Sequence, residues 1–289
     1  MTGLAALFVL IWSTGFIVAK LVASVADPNL FLTARCILAA VLFLIVTVVA
    51  RVRWPPWREI PRHLLAGVLL QGGYLGGTYW AVGAGLAPGV MALLGALQPM
   101  LTAVLAIFVL GEVPTRRTWT GLVLGVSGVA LVVVPRILAH ESGALPVGVL
   151  AIAVVAVLSL TAGTVLQKTS IATADLRVSS VVQNVGAAVT VGLLAWARGE
   201  TRWVSSAALW GSLAWASLVL SGLGTFLLVW MVRRGRAANV ASLLLLAPPL
   251  AAAESYLLFG DRLTAVQLVG FAIALVGVFL CNPAQASRR

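Results

Sequence analysis

Two ionisable side chains stand inside apolar stretches of the sequence, where each can bind a charged group or carry a proton. Arg35 and Glu254 lie within runs of about 20 residues, long enough to cross a bilayer. A charge in hydrocarbon is costly, so such residues usually serve a function or reach back to the headgroups. Their predicted depths match, which is compatible with an ion pair or with two side chains that snorkel separately. If Glu254 is unpaired, it is the obvious carboxylate for proton coupling.

A second set of side chains combines aromatic, hydroxyl and amide groups inside the apolar runs. Trp12 lies too deep for the aromatic belt of a membrane interface, and its indole N–H needs a polar partner there. These groups suit hydrogen bonding to a zwitterion, whereas a phosphorylated solute would require several buried arginines or lysines. The predicted substrate-binding residues are Trp12, Ser13, Gln71, Tyr74, Tyr79, Gln98, Ser159, Thr161, Ser217 and Ser221.

These residues also have structural interpretations, which the sequence leaves open. Serine and threonine hydroxyls within helices commonly bond to their own backbone. Gln98 can tie two helices together, and Tyr79 approaches the interface, where a role in the aromatic belt is equally compatible. Ser217 and Ser221 share one helix face, which is also typical of ordinary helix–helix contact.

The composition places the chain in a membrane. Of 289 residues, 61% are hydrophobic and 9% are charged, well outside the usual balance of soluble domains. The first apolar run has no basic residue before it and no cleavage site behind it, so we expect a membrane helix and not a signal peptide. The expected fold is an all-α integral membrane protein with ten transmembrane helices, at residues 3–24, 29–50, 62–84, 89–110, 116–135, 146–168, 177–197, 207–231, 237–259 and 264–282.

The charges of the chain indicate its orientation and its partners. The net charge of +11 comes from basic residues spread over the loops, so we expect contact with membrane lipid and no nucleic-acid partner. Most of the 19 lysines and arginines fall in loops that share one side of the membrane if both termini lie on that side. Because basic loops stay in the cytoplasm, both termini are predicted to be cytoplasmic.

The second half of the sequence repeats features of the first. The matches at an offset of 149 residues are Pro99 with Pro248, Gly111 with Gly260, Glu112 with Asp261, Gly121 with Gly270 and Gly128 with Gly277. Lys20 and Lys168, the only lysines, are 148 residues apart. Each half holds five predicted spans, an odd number, so the second half enters the membrane from the opposite side. The sequence therefore predicts two inverted five-helix repeats, residues 1–140 and 141–289.

Inverted repeats indicate a mechanism. Secondary transporters use them to expose a central site to each side of the membrane in turn, by alternating access. One chain that carries both repeats is sufficient as a monomer, although this does not forbid a dimer. A membrane enzyme or scaffold that arose by gene duplication is the competing interpretation.

The sequence lacks the usual patterns of an enzyme. His63 and His140 are predicted on opposite faces of the membrane, so they cannot join one hydrolytic or zinc site. Cys36 and Cys281 form no spacing motif, and no glycine-rich phosphate loop ending in Gly-Lys occurs. We therefore expect no enzymatic activity, no cofactor and no metal.

The first span, "LIWSTGFIVAK", and the doubled pattern of proline, Gly-acid and two glycines resemble a known family. Over nearly its whole length the chain resembles EamA-type carriers of the drug/metabolite transporter superfamily. Asp261 departs from the glutamate that is usual at its position but keeps the carboxylate. The resemblance implies a ten-helix exporter of small metabolites with a cavity between the repeats, most similar to the YddG-type exporters of aromatic amino acids.

The residues and the resemblance together favour one function. We expect an exporter of small-molecule substrates, namely amino acids, aromatic and other neutral ones among them, in the bacterial inner membrane. The alternative is a multidrug exporter of lipophilic cations, in which Glu254 would bind the positive charge of the drug.

Overall fold

The structure, a computed structural model, describes residues 2–110, 115–138, 146–170, 174–231 and 243–281. These residues form helices and short connections, with an isolated β-bridge between Ala26 and Trp203. Seven described helical stretches are long and apolar enough to cross a membrane, two of which, Pro88–Leu105 and Ala207–Leu227, are divided into shorter helices below, so the prediction of an all-α membrane protein is confirmed. Gly111, Glu112, His140 and the first part of the predicted span 237–259 lie outside the described residues.

The helices follow the predicted spans, because apolar chain in a bilayer must pair its backbone N–H and C=O groups internally. In the first half they are α1 (Thr2–Ala23), α2 (Pro28–Val49), α3 (Ile60–Gly67), α4 (Tyr74–Gly83), α5 (Pro88–Ala96), α6 (Gln98–Leu110) and α7 (Arg116–Ile137). In the second half they are α8 (Val147–Ser170), α9 (Leu176–Ala197), α10 (Ala207–Ala214), α11 (Thr225–Met231), α12 (Ala247–Phe259) and α13 (Ala265–Cys281).

Two predicted spans contain a π-helical segment at their centre. Helix α3 continues into α4 through the π-helix Val68–Gly73, and α10 continues into α11 through the π-helix Trp215–Gly224. Both segments end in glycine, which loses more conformational entropy in a regular α-helix than any other residue and therefore favours it weakly. Such segments widen a helix locally and are frequent at functional sites. Residue spacing alone did not predict them.

Helices break at prolines within two of the predicted spans. Helix α5 ends at Ala96, and α6 begins at Gln98, directly before Pro99. Helix α12 begins at Ala247, so that Pro248 and its neighbour occupy the first turn. Proline has no N–H to donate to the preceding turn, and the regular helix ends there. Both breaks lie within predicted spans, where they free backbone carbonyls.

The core of the bundle lies between α1, α4, α5 and α12. Phe8, Met91 and Leu93 are fully buried there. The outward faces of α2 and α9 are also apolar, and Val49 and Val189 are exposed on them. In a membrane protein such faces meet lipid tails, so burial and exposure both fit a bundle embedded in a bilayer.

Helices α7 and α13 touch at the backbone. A Cβ atom built on Gly128 would lie 2.3 Å from the backbone nitrogen of Ala274, and one on Gly277 would lie 2.4 Å from that of Gly125. Helices approach so closely only where small residues replace bulky ones. All four glycines that the repeat pattern matches in these helices take part in the contact. These repeated glycines therefore allow the two halves to pack closely against each other.

The connection between α9 and α10 binds the connection between α1 and α2. The Glu200 carboxylate accepts the backbone N–H groups of Asn29 and Leu30 at 2.9 and 3.1 Å, which caps α2. The Asp27 carboxylate accepts, at 3.0 and 2.9 Å, the two backbone N–H groups that follow Glu200. This reciprocal contact, the Asp27–Glu200 clasp, joins the halves at the end of the bundle that the sequence predicts to face outside.

Candidate functional site

Ser13 of α1 and Glu254 of α12 form a hydrogen-bonded pair inside the bundle. Ser13 Oγ and Glu254 Oε1 lie 2.6 Å apart. Ser13 is fully buried, and Glu254 is half-buried. The other carboxyl oxygen, Oε2, is buried and has no hydrogen-bond partner within the described part of the chain. The pair places a carboxyl group against the middle of α1, close to Trp12.

Arg35 of α2 faces α4 and not α12. Its Nη1 donates to the Tyr79 hydroxyl at 3.2 Å, and the Tyr79 ring stacks on Phe31 with 5.8 Å between centroids. Arg35 is 8% exposed and Tyr79 is 2% exposed, so neither snorkels to the membrane surface. The sequence left open an ion pair between Arg35 and Glu254 or separate snorkelling of the two side chains. In this structure Arg35 contacts Tyr79 and Glu254 contacts Ser13, because side chains at equal depth can still point to different neighbours.

Gln98 and Thr164 form a second polar pair, at the break between α5 and α6. Gln98 Nε2 donates to Thr164 Oγ1 of α8 at 2.7 Å. The Thr164 hydroxyl donates to the backbone carbonyl of Leu160 at 2.8 Å, as helical hydroxyls commonly do. Both Gln98 and Thr164 are half-buried, so the core does not seal them off.

Tyr74 approaches the same break from α4. A Cβ atom on Gly95 would lie 3.2 Å from the Tyr74 hydroxyl oxygen and 4.0 Å from Cζ of Phe16, so the glycine leaves room for both rings. Tyr74 is half-buried and follows the first π-helix directly, and Gln71 within that π-helix is half-buried too. The structure therefore brings Tyr74 near the chain segment that carries Gln98.

Two tryptophans lie beside the polar part of α1. Trp12 is half-buried and contacts Phe8, with 5.4 Å between ring centroids. Trp215 of the second π-helix donates its indole N–H to Thr14 Oγ1 at 2.9 Å. Trp215 was not among the predicted binding residues, although its deep position in a span is the same signal that identified Trp12.

The remaining predicted hydroxyl groups contribute to the bundle itself. Ser159 donates to the Leu69 carbonyl at 2.9 Å and so ties α8 to the first π-helix. Thr161 and Ser221 donate to carbonyls of their own helices at 2.8 and 3.0 Å. Ser217 is buried, and its hydroxyl has no partner within the described residues. For Ser159, Thr161 and Ser221 the contacts agree with the structural interpretation.

Lys20 and Asp261 form an ion pair where α1 meets the end of α12. Lys20 Nζ lies 2.6 and 2.5 Å from the two carboxylate oxygens of Asp261. The Ser255 hydroxyl also donates to Asp261, and Lys20 Nζ lies 4.6 Å from the centroid of the Phe259 ring. This contact was not predicted from the sequence. The signal available was the recurrence of a lysine and an acidic residue in both halves.

A cavity of about 210 Å³ opens at the same end, between α1, α2 and α4. Tyr79, Trp80 and Arg202 line it. Arg202 Nε lies 3.3 Å from Asp27 Oδ1, and its Nη2 donates to the Ala23 carbonyl at 2.8 Å. The charge of Arg202 is therefore balanced within the clasp. Among the described residues, no three His, Cys, Asp or Glu side chains are grouped to hold a metal ion.

Comparisons with known proteins give a family, a distant relative and a shared fold. The sequence profile of the EamA-like transporter family matches residues 2–134 and 147–282 of this chain. An uncharacterized transporter of Synechocystis sp. is 27% identical over 293 residues, which cover 94% of this chain and 86% of that protein. A protein of known crystal structure, 17% identical in sequence, superposes with a TM-score of 0.65 over 100% of this chain and 98% of the other, so the two share a fold.

Proposed function

Because the chain belongs to the EamA-like transporter family and is a membrane transporter, we propose that it exports amino acids, aromatic and other neutral ones among them. One observation carries the proposal. The polar pairs Ser13–Glu254 and Gln98–Thr164 provide hydroxyl, amide and carboxyl groups inside the bundle, next to aromatic rings, and neither pair contains a cation.

These groups match the parts of an amino acid. The ammonium group of the substrate would be bound by Glu254 or by the carbonyl oxygen of Gln98, which are acceptors. The carboxylate would be bound by N–H and O–H donors such as those of Trp12 and Tyr74. Aromatic rings of the substrate would contact Trp12 and Phe16. The other predicted residues would hold the helices that carry these groups in position; they are Gln71, Tyr79, Ser159, Thr161, Ser217 and Ser221.

The proposed mechanism is alternating access between two inverted five-helix repeats, which together give ten transmembrane helices. Corresponding helices of the two halves pair with each other, since α2 packs along α9 and α7 packs along α13. The two π-helices also fall in corresponding spans, the third and the eighth. The two separate matches to one family profile agree with this arrangement. A carrier needs such symmetry because two equivalent halves can exchange conformations.

We also propose an orientation in the membrane and an oligomeric state. Both termini would lie in the cytoplasm of a bacterium, with the protein in the inner membrane and the Asp27–Glu200 clasp outside. A monomer would be sufficient, because one chain carries both repeats. In this orientation the Lys20–Asp261 ion pair and the clasp both hold the outer end of the bundle together.

Export of lipophilic cations is the second candidate, and one observation favours it. Glu254 has no cationic partner within the described residues, and a carboxyl group inside the bundle suits the positive charge of an organic cation. Amino acids are preferred because Gln98 and Thr164 supply further hydrogen bonds, which a quaternary ammonium drug would leave unused.

The test is transport by the purified full chain in proteoliposomes, with labelled amino acids compared with a labelled quaternary ammonium drug. We expect saturable amino-acid flux that falls about 10-fold or more for Gln98→Ala, as expected when one buried hydrogen bond of about 1.5 kcal/mol to substrate is lost. Trp12→Ala should lower the flux of aromatic substrates most strongly.

Trp196→Ala is the matched control for Trp12→Ala, because Trp196 is 82% exposed on the lipid-facing side of α9. It should transport as the wild type does. Drug flux that depends on Glu254, without amino-acid flux, would refute the amino-acid proposal and favour the second candidate. Flux that does not saturate with any substrate would instead indicate a channel.

A further inference from the structure

The Ser13 hydroxyl lies within hydrogen-bond distance of two oxygen atoms but carries only one proton. Ser13 Oγ lies 2.6 Å from Glu254 Oε1 and 2.9 Å from the backbone carbonyl oxygen of Leu10. Both distances are those of hydrogen bonds, yet a hydroxyl group carries one proton and both partners are oxygens. If the hydroxyl donates to the Leu10 carbonyl, the contact with Glu254 requires a proton on the carboxyl group.

The surroundings of Glu254 favour the neutral carboxyl group. Its Oε2 is buried without a partner in the described structure, so an ionised carboxylate would accept at most one hydrogen bond from Ser13. Burying a carboxylate with one neutral donor and no cation is strongly unfavourable, and the group binds a proton instead. Arg35, the buried cation of α2, is bound to Tyr79 and does not compensate the charge.

Among the residues that the structure describes, no other titratable side chain is placed to neutralise Glu254. Helix α12 packs against α1 and α5, and α5 carries no titratable residue. The one on α1 is Lys20, seven residues further along, where it is bound to Asp261. On α12 itself the other titratable side chain is Tyr256, which is exposed on the outward face.

The carboxyl group of Glu254 has no counterpart in the first repeat. The residue of the first half at the offset of 149 is Leu105, and every other acidic residue of the chain lies in a loop or at the end of a predicted span. Gln98 and Thr164, the polar pair on the two helices that the repeat relates to α12 and α1, are uncharged. A transport cycle therefore has one membrane carboxyl group to protonate.

From this geometry we infer that Glu254 is the proton-binding site of an amino acid/proton antiporter, rests protonated against Ser13 in this conformation, and moves one proton per cycle. The inference rests on the proposed export function. A proton taken up from the outer side binds Glu254 when the substrate has left. It is released to the cytoplasm when the next substrate arrives, because the substrate ammonium group stabilises the ionised carboxylate. Each cycle moves one proton inward and one neutral zwitterion outward, so it also carries one net positive charge into the cell.

The first experiment measures protonation without any substrate. Infrared difference spectra of the full chain in lipid, recorded over a pH titration, should contain the carbonyl stretch of a protonated carboxyl group at neutral pH. This band should be lost in Glu254→Gln and kept in Tyr256→Phe, the control on the same helix. In Ser13→Ala the band should move to higher wavenumber, because the carboxyl proton loses its acceptor.

The second experiment measures coupling in proteoliposomes. An inward proton gradient should stimulate amino-acid export by the wild type and by Tyr256→Phe. In Glu254→Gln, exchange of labelled for unlabelled substrate should require a higher substrate concentration, because the ammonium group of the substrate loses the carboxylate, and a proton gradient should no longer stimulate export at that concentration. An unfolding midpoint equal to that of the wild type, followed by far-UV circular dichroism in micelles, shows that the variant is folded.

Two results would overturn the inference. One is a wild-type spectrum without a band that depends on Glu254, which would mean that the carboxylate is ionised. The other is export by Glu254→Gln that a proton gradient still stimulates. A band that depends on Glu254, together with no amino-acid flux in the wild type, would support the proton site and refute the proposed substrate.

Discussion

Replacement of Gly128 by alanine should separate α7 from α13. The added Cβ atom would lie 2.3 Å from the backbone nitrogen of Ala274 and 2.5 Å from the carbonyl oxygen of Gly270. Both partners are backbone atoms, which cannot move aside as a flexible side chain can. Ordinary contact distances of about 3.5 Å then require the two helices to move apart by roughly 1 Å.

The expected cost is that of overpacking, about 1–3 kcal/mol of unfolding free energy. Alanine also favours a helix over glycine by up to about 1 kcal/mol, which would hide part of the effect. Gly211→Ala on α10 is the matched control, because a Cβ atom there meets nothing within 4 Å. The helix preference cancels between the two variants, so their difference in stability measures the clash alone.

The assay is equilibrium unfolding of the purified variants in mixed detergent micelles, followed by far-UV circular dichroism. The midpoint of unfolding should lie at a lower concentration of denaturing detergent for Gly128→Ala than for Gly211→Ala. The difference should correspond to an unfolding free energy lower by about 1–3 kcal/mol. Equal midpoints for the two variants would refute the backbone contact between α7 and α13. They would also show that close packing of α7 and α13 does not explain the repeated glycines.

Three further sets of variants test other contacts. Glu200→Ala should remove the cap of α2 and lower the unfolding free energy by about 1 kcal/mol, measured in the same micelles; an unchanged midpoint would show that the clasp does not hold the two connections together. Lys20→Met and Asp261→Asn should show a coupling energy above about 0.5 kcal/mol in a double-mutant cycle of unfolding; additive effects would contradict the ion pair. Gln98→Leu and Thr164→Val should lower amino-acid flux by similar factors, and the double variant should be no worse than Gln98→Leu; independent losses would show that the two side chains do not act together.

The sequence predicts the depth of a side chain and not its partner. Counting residues along a helix places Trp12 and Glu254 deep within apolar spans. Counting does not tell which neighbour a side chain faces. An ion pair between Arg35 and Glu254 and separate snorkelling therefore both stayed open, whereas the structure joins Arg35 to Tyr79 and Glu254 to Ser13.

The two π-helices and Trp215 show a second limit of prediction from sequence. A π-helix adds a residue to a turn, so it shifts every later side chain around the helix axis. Glycine and proline in the spans indicated irregular helices in general, but not the register that follows. Faces predicted from regular helical spacing, such as that of Ser217 and Ser221, therefore cannot be carried through the second π-helix.

The sequence by itself determined that the chain is helical, crosses a membrane and resembles EamA-type carriers. Bilayer hydrocarbon accepts only long apolar segments with internally paired backbone, so composition and run length suffice for that conclusion. Only the tertiary structure decided which residues meet. Ser13 with Glu254 and Lys20 with Asp261 are both pairs separated by 241 residues. Contacts at such separation arise from how helices from opposite ends of the chain pack together, and hydropathy along one helix carries no information about that.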